Sequence, residues 1–338
     1  MGVGGAARFF AAATSVEELR EALAWAKQKS LPLFVLGGGS NLVFADSGWP
    51  GLVLKVDLKG IEFQEDGGIV RLLAGAGEEW DTAVSRSVAQ GCAGLETLSG
   101  IPGSVGGTPV QNVGAYGAEV STAIASVEAL EIASGELCRF ANCECGFAYR
   151  ASRFNREDKN RYIITRVVYA LRAGGEPRLE YAELQRYFAE GAGRGSAVSL
   201  ASVRAAVLAI RRRKSMVYDP DDLDSHSSGS FFKNPVVAPE IAEKVRLWAE
   251  ARGLRAPIYP AADGAAAKLS AAWLIEQSGV SKGFTMGAVA VSSKHALALT
   301  NRGGASAAGL MALKEHVQAS VRQAFGIELQ VEPVLAGF

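Results

Sequence analysis

The chain has 338 residues, 49% hydrophobic and 21% charged, with 35 basic residues balanced by 35 acidic ones. That length is expected to hold two or three domains, each able to bury its own core, and a zero formal net charge argues against general nucleic-acid binding. No apolar run approaches the roughly 20 residues of a membrane helix, and no charged segment followed by an apolar core marks a signal peptide, so a cytoplasmic protein without nucleic-acid or membrane partners is expected.

In chain order, Ser15 is placed to cap a helix over residues 16–28, with Glu18 as its capping-box partner. Residues 31–36, 52–58 and 69–74 read as short apolar strands, and residues 79–90 as an amphipathic helix closed by Gly91. This predicts a small α/β subdomain followed by a larger one. Residues 91–117 are dense in glycine, carry Pro102 and Pro109 and show no period; an ordered loop of that length in a compact domain is usually functional. Strands are expected over 125–132 and 162–171, then a helix over 200–214 with Ser199 as its cap and Arg211-Arg212-Arg213-Lys214 as its end. A new unit begins near Met216, after which residues 239–252, 271–277 and 307–325 read as helices and residues 287–299 as a strand.

Cys138, Cys143 and Cys145 form a C-x4-C-x-C run with no histidine near, which fits no zinc knuckle and predicts reduced thiols and no metal. Gly37-Gly38-Gly39-Ser40-Asn41 follows a strand directly. Its glycines permit positive φ and let backbone N–H groups converge on an anion, although a tight strand-to-loop turn would be written the same way. It is neither a Walker loop nor a G-x-G-x-x-G fingerprint. A second loop, Ser99-Gly100-Ile101-Pro102-Gly103-Ser104-Val105-Gly106-Gly107, continues through Asn112, Gly114, Tyr116 and Gly117. Two phosphate-grade loops on one α/β unit fit a dinucleotide held by its pyrophosphate. Further on, Ser225-His226-Ser227-Ser228-Gly229-Ser230-Phe231-Phe232-Lys233-Asn234-Pro235 joins two aromatics to a run of small hydroxylated residues. It reads as a half-buried loop-to-strand element, anchored by Phe231 and Phe232, that turns Ser230, Lys233 and Asn234 into a polar cavity.

The two loops GGGSN and GIPGSVGGTPVQNVGAYG, together with GSFFKNP, resemble the UDP-N-acetylenolpyruvoylglucosamine reductases, FAD enzymes of peptidoglycan precursor synthesis, and the resemblance covers nearly the whole chain. It implies an α+β architecture: a two-subdomain FAD-binding fold of the vanillyl-alcohol-oxidase type plus a smaller α/β substrate-binding domain. Residues 1–60 would form the first flavin subdomain, with 326–338 returning to the site; residues 61–212 would form the second, and 213–325 the substrate domain. The implied reaction uses NADPH to reduce the flavin, then delivers hydride to C3 and a proton to C2 of the enolpyruvyl group, giving UDP-N-acetylmuramate. With no histidine before His226, the FAD is expected to be non-covalent. The protein is expected to work as a monomer on a small-molecule UDP-sugar.

Carried over residue by residue, the resemblance implies Arg150, Ser230 and Glu332 as the catalytic trio. Arg150 would hold the substrate carboxylate and the charge that develops on hydride addition, Ser230 would donate the proton, and Glu332 would polarise the intermediate. Gly37, Gly38, Gly39, Ser40, Asn41, Gly100, Ile101, Pro102, Gly103, Ser104, Gly106, Gly107, Asn112, Tyr116 and Gly117 would hold FAD. Tyr149, Tyr181, Lys214, Lys233, Asn234 and His295 would contact substrate, with Tyr181 on the tyrosine loop found in one branch of the family. Taken without the resemblance, Arg150 also reads as a turn arginine, Ser230 as a turn hydrogen-bonder, Glu332 as a solvated edge-strand carboxylate, and 211–214 as a solvated helix end. Rival readings are a flavin oxidase sharing the cofactor fold and a silent flavin-binding module. GSFFKNP and Glu332 lie outside the flavin domain and argue against the first; the complete trio argues against the second. Family members usually carry a further stretch before Met1-Gly2-Val3-Gly4-Gly5, so either a missing part of the flavin-domain edge or a misplaced start is expected, which bears on FAD affinity.

Overall fold

A computed structural model describes residues 1–190, 193–195, 197–261, 264 and 266–338, with Asp66 described by its backbone alone. The chain divides into two compact units: residues 7–39 with 50–213, and residues 1–6 and 40–49 with 214–338.

In the larger unit, helix Val16–Gln28 starts where the sequence places it, with Ser15 Oγ accepting the Glu18 N–H at 3.1 Å and Glu17 and Glu18 at the positive end of the helix dipole. Within the expected capping box Glu18 also reaches one residue further back: its Oε2 takes the N–H of Thr14 at 2.6 Å and its hydroxyl at 2.9 Å, ahead of the Ser15 N–H. The helix links Ala7–Ala13 to Leu33–Leu36, and both strands pair with Trp49–Val56 between them. Leu33–Leu36 runs parallel to it, Leu33 opposite Leu52.

The second sheet of this unit is antiparallel, in the order Leu137–Ala141, Ile124–Glu131, Tyr162–Ala173, Ile69–Gly75, Ile61–Asp66. Tyr162–Ala173, YIITRVVYALRA, is rich in β-branched and aromatic residues and takes the centre. Helix Trp80–Ala89 buries Trp80 completely, its ring 5.7 Å from the equally buried Tyr169. Trp80 Nε1 donates to the Leu98 carbonyl at 3.0 Å, and the Tyr169 hydroxyl shares a hydrogen bond with Thr108 Oγ1 at 3.0 Å. The core thereby grips the glycine-rich loop at both ends. A satellite cluster of Leu184, Val203, Ala206, Val207 and Ile210 packs helix Ala182–Ala189 on helix Leu200–Arg213.

The smaller unit has a four-stranded antiparallel sheet in the order Ser227–Ser230, Ala298–Asn301, Val289–Val291, Thr285–Met286. The single strand expected over 287–299 is instead two strands joined by a turn. Ser292 Oγ accepts the N–H groups of Lys294 and His295, and the Ser292 N–H closes onto the Ala298 carbonyl, so a serine reverses the chain without glycine or proline. A second sheet joins Val236–Val237, Ala267–Leu269 and Ile258–Pro260, and Val334–Ala336 runs parallel to Leu42–Phe44. Helices Pro239–Glu250, Ala271–Gln277 and Ala307–Phe325 cover a core of Phe231, Phe232, Leu274, Leu299, Leu313 and Val317. The longest of them begins on a carboxylate: Asp46 Oδ1 and Oδ2 accept the N–H groups of Ala307 and Ala308 at 2.7 and 2.8 Å. Among the described residues no helix is long and apolar enough to cross a membrane, and the four cysteines are free thiols.

Candidate active site

The two glycine-rich loops meet inside the larger unit. A Cβ on Gly38 would lie 2.6 Å from Gly103 Cα and 2.8 Å from Ser104 N, and one on Gly37 would lie 2.7 Å from Ser104 Oγ. These glycines are there for backbone contact. Gly39, Gly100, Gly103 and Gly117 have positive φ, which glycine adopts without strain. Of the second loop's N–H groups, that of Gly100 goes to Asp81 Oδ1, and those of Val105, Gly106 and Gly107 go to Glu78, Ala76 and Ser104 carbonyls. No acceptor among the described residues takes the N–H of Ile101, Gly103 or Ser104, and Ser104 Oγ is buried without a partner. A cradle closed to side chains but lined by free donors fits the pyrophosphate of the expected FAD. Pro102 sits between these donors and contributes none. Ser40 and Asn41, the end of the first loop, belong to the smaller unit.

Asn112 is fully buried, and its amide is spent within the protein: Nδ2 donates to Glu119 Oε2 at 2.9 Å and the Ala148 carbonyl at 3.0 Å, and Oδ1 accepts the Ser121 N–H at 3.1 Å. It acts here as a loop anchor. Next to it Tyr116 and Gly117, both at positive φ, form the two-residue turn of a hairpin between Gly114–Ala115 and Ala118–Glu119. Arg150 Nη2 donates to the Gly114 carbonyl at 2.9 Å, its guanidinium lying 5.4 Å from the Tyr149 ring centre. Tyr181 caps the start of helix Ala182–Ala189 and meets Tyr116 edge-on, ring centres 5.4 Å apart. Six non-glycine residues have positive φ among the described residues, and three of them, Asn112, Tyr116 and Arg150, lie in this group. Backbone strain of this kind collects at functional sites.

Arg211, which the sequence reads as part of a solvated helix end, is 7% exposed. Its Nε donates to the Gly100 carbonyl at 3.1 Å, and its guanidinium faces the Tyr116 hydroxyl. Burial pushes the Tyr116 phenol up to about 12, against the pull of Arg211. Helical period carries the signal that was missed: Val203, Val207, Ile210 and Arg211 share one face. Asp81 is a second residue that sequence reading passed over; its carboxylate receives both Nη atoms of Arg204 at 2.6 and 2.7 Å as well as the Gly100 N–H.

In the smaller unit, Phe231 and Phe232 are buried as anchors, ring centres 5.5 Å apart. Ser230 precedes them at the end of a bulge: Ser227 pairs with Thr300 and Ser230 with Ala298, so three steps on one strand face two on the other, with Gly229 at φ +77°. Bulges re-aim side chains next to active sites. The Ser230 hydroxyl is half-buried and has no partner among the described residues. Past the phenylalanines the chain pairs with the C-terminal segment. Phe232 lies opposite Val331, Lys233 N–H donates to the Gln330 carbonyl at 2.9 Å, and Glu332 N–H donates to the Phe231 carbonyl at 2.9 Å. Asn41 Nδ2 donates to the Glu332 carbonyl at 3.3 Å, and the Val334 N–H donates to the Asn41 carbonyl at 3.0 Å. Ser230, Lys233, Asn41 and Glu332 are therefore gathered by main-chain pairing. Asn234 Oδ1 accepts the Ala271 N–H at 2.9 Å, leaving its amide hydrogens as donors. Lys214 opens the unit, and Ser215 after it, at φ +52°, bonds Asp222 Oδ2 at 2.5 Å. Asp222 also accepts from Lys294 Nζ at 2.9 Å. His295, beside Lys294, accepts the Leu297 N–H on Nδ1 at 3.1 Å. Of the orphaned buried polar atoms, His226 Nε2 and Ser228 Oγ lie in this same stretch.

Residues 7–141 match the model of an FAD binding domain, and residues 220–336 match that of the C-terminal domain of UDP-N-acetylenolpyruvoylglucosamine reductase. The UDP-N-acetylenolpyruvoylglucosamine reductase of Thermobifida fusca is 46% identical over 342 residues, covering 100% of this chain and 95% of the relative. That of Streptomyces avermitilis is 46% identical over 343 residues, covering 99% and 91%. Among solved structures, UDP-N-acetylenolpyruvylglucosamine reductase from Thermus caldophilus superposes with a TM-score of 0.66 at 25% identity, covering 99% of this chain and 94% of that one.

Proposed function

Because the chain belongs to the UDP-N-acetylenolpyruvoylglucosamine reductase family, an FAD-dependent oxidoreductase of peptidoglycan synthesis, we propose that it reduces UDP-N-acetyl-3-O-(1-carboxyvinyl)-glucosamine to UDP-N-acetylmuramate at the expense of NADPH. The observation that carries the residue assignments is the pairing of the Ser230-Phe231-Phe232 stretch with Gln330 to Glu332. FAD, when bound, supplies the carriage of a hydride from NADPH to C3 of the enolpyruvyl group. The larger unit would hold it non-covalently through the cradle of Gly37, Gly38, Gly39 and Ile101 to Ser104, and the smaller unit would supply most of the groups for the UDP-sugar.

In this reading Arg150 binds the substrate carboxylate. As hydride adds at C3, negative charge moves onto C2 and that carboxylate, and a fixed guanidinium favours the charged state over the neutral one. Ser230 then gives its proton to C2. A serine hydroxyl is a weak acid, yet an enolate is a strong enough base to take its proton when the two are held in contact. Glu332 polarises the intermediate beside it. Lys214, Lys233 and the Asn234 amide take the diphosphate and sugar, with Tyr149, Tyr181 and His295 as further contacts. A monomer working in the cytoplasm completes the proposal. The test is a two-stage flavin titration. NADPH should bleach the yellow protein, and the enolpyruvyl UDP-sugar should restore its colour with one equivalent of UDP-N-acetylmuramate formed; bleaching without restoration would remove the assignment.

A further inference from the structure

The loop over residues 98–106 is tied to the segment that leads into helix Trp80–Ala89 by contacts any sequence could make. The N–H of Trp80 donates to Gly103, that of Val105 to Glu78, and that of Gly106 to Ala76, all to carbonyls at 2.8–3.0 Å. Asp81 is different, because here a side chain does the holding. Its Oδ1 accepts the Gly100 N–H at 2.6 Å while Arg204 Nη1 and Nη2 fork onto Oδ1 and Oδ2 at 2.6 and 2.7 Å. The next peptide unit, the Gly100 carbonyl with the Ile101 N–H, is held by Arg211 through that carbonyl. With side chains 30% and 16% exposed, Asp81 and Arg204 are mostly out of water, where a bidentate pair fixes orientation as well as charge. Gly100 stands at φ +71°, and after it come the N–H groups of Ile101, Gly103 and Ser104, which no acceptor among the described residues takes. The direction in which those donors point depends on the Gly100 peptide.

We propose that Asp81, locked by Arg204, is a positioning residue for the cofactor: it fixes the Gly100 peptide so that the N–H groups of Ile101, Gly103 and Ser104 converge on the pyrophosphate of FAD. This rests on reading the loop as the flavin cradle. Neither side chain touches the cofactor in this arrangement; both act through Gly100.

The test is titration of the apoprotein with FAD, followed by quenching of flavin fluorescence. Asp81→Ala is expected to raise the Kd for FAD about tenfold or more, the scale of a lost charge-assisted hydrogen bond. Asp81→Asn, which keeps an oxygen for the Gly100 N–H, should stay within about threefold of wild type. Arg204→Ala should fall between them, and adding it to Asp81→Ala should change nothing more, since one device is removed once. An Asp81→Ala apoprotein with a lowered Tm but wild-type FAD affinity would make the residue merely structural and overturn the proposal, as would additive effects in the double variant. Should Asp81→Ala fail to fold, hydrogen exchange at the Gly100 amide of Arg204→Ala apoprotein decides: faster exchange supports the lock, and unchanged protection overturns it. Wild-type protein that binds no FAD would overturn the reading of the loop itself, before any variant is compared.

Discussion

The main-chain N–H of Glu332 donates to the carbonyl of Phe231 at 2.9 Å, so Glu332 lies across from the residue that follows Ser230. The link is backbone to backbone, and Phe231 and Phe232 beneath it are buried in the core of their unit. The backbone that places both residues is thereby independent of the Ser230 hydroxyl. Substitution of Ser230 is a clean probe.

Ser230→Ala removes a hydroxyl that no protein group uses among the described residues, and leaves Gly229 and the bulge intact. Stability should change by no more than about 0.5 kcal/mol. Bleaching of the flavin by NADPH should keep its wild-type rate, while re-oxidation by the enolpyruvyl UDP-sugar slows by about two to four orders of magnitude, the usual worth of a positioned general acid. Stopped-flow absorbance separates the two stages, and equal loss in both would remove Ser230 as the proton donor.

Glu332→Gln keeps the N–H to Phe231 and the carbonyl that receives Asn41. FAD content and the NADPH stage should match wild type, with the loss confined to the second stage. A Glu332→Gln protein purified without flavin would instead assign the carboxylate a structural role.

Much of this was legible in the sequence where local signals were strong. Helix Val16–Gln28 announces itself through Ser15 and its period, and GSFFKNP contrasts buried aromatics with polar neighbours. Local signals failed where a serine did the work of a turn residue. Ser292 reverses the chain between Val289–Val291 and Ala298–Asn301, so two strands read as one. Strand Ala7–Ala13, alanine-rich with Phe9 and Phe10 exposed, carries no alternation and was not foreseen. Long-range partners were illegible for another reason. The period puts Arg211 on the buried face with Val203, Val207 and Ile210, but nothing near it shows that the Gly100 carbonyl and Tyr116 will meet it. Likewise Asn112, read as a ligand to the cofactor, has its amide filled by Glu119, Ala148 and Ser121, none of which the motif predicts.

Gly38→Ala tests the contact between the two loops. Its Cβ would lie 2.6 Å from Gly103 Cα, 2.8 Å from Gly103 C and 2.8 Å from Ser104 N, all main-chain atoms that cannot step aside as a side-chain tip can. The loops must part, and FAD should be lost on gel filtration while the apoprotein keeps its far-ultraviolet circular dichroism. Gly60→Ala, whose Cβ meets nothing within 4 Å but whose φ is +125°, serves as the control for backbone strain alone and should retain flavin. Flavin retained by Gly38→Ala would mean that the loops can separate without cost to the cradle.

Acid stability reports on Asp81. Burial opposes its ionisation, but the Arg204 guanidinium, the Gly100 N–H and the charge of Arg211 outweigh burial and hold the carboxyl below its ordinary 3.8. A depressed folded-state pKa contributes stability that is present above the unfolded value and lost as pH falls through the folded one. The stability difference between wild type and Asp81→Asn should therefore be flat from neutrality down to about pH 5 and shrink below about pH 4. Urea melts across that range check it, and a difference that stays constant through the acid limb would show that Asp81 is not the titrating group.

Asn41 separates two roles on one side chain. It ends the first glycine-rich loop and was expected at the cofactor, yet its Nδ2 donates to the Glu332 carbonyl at 3.3 Å while its own carbonyl receives the Val334 N–H. Asn41→Ala removes the first bond and leaves the second, so the pairing of Leu42–Phe44 with Val334–Ala336 survives. If the amide serves to hold Glu332 in place, the second stage of the flavin cycle should slow about fivefold, as one ordinary hydrogen bond of about 1 kcal/mol would dictate, with FAD affinity unchanged. The opposite pattern, weakened FAD binding with the second stage intact, would return Asn41 to the cofactor.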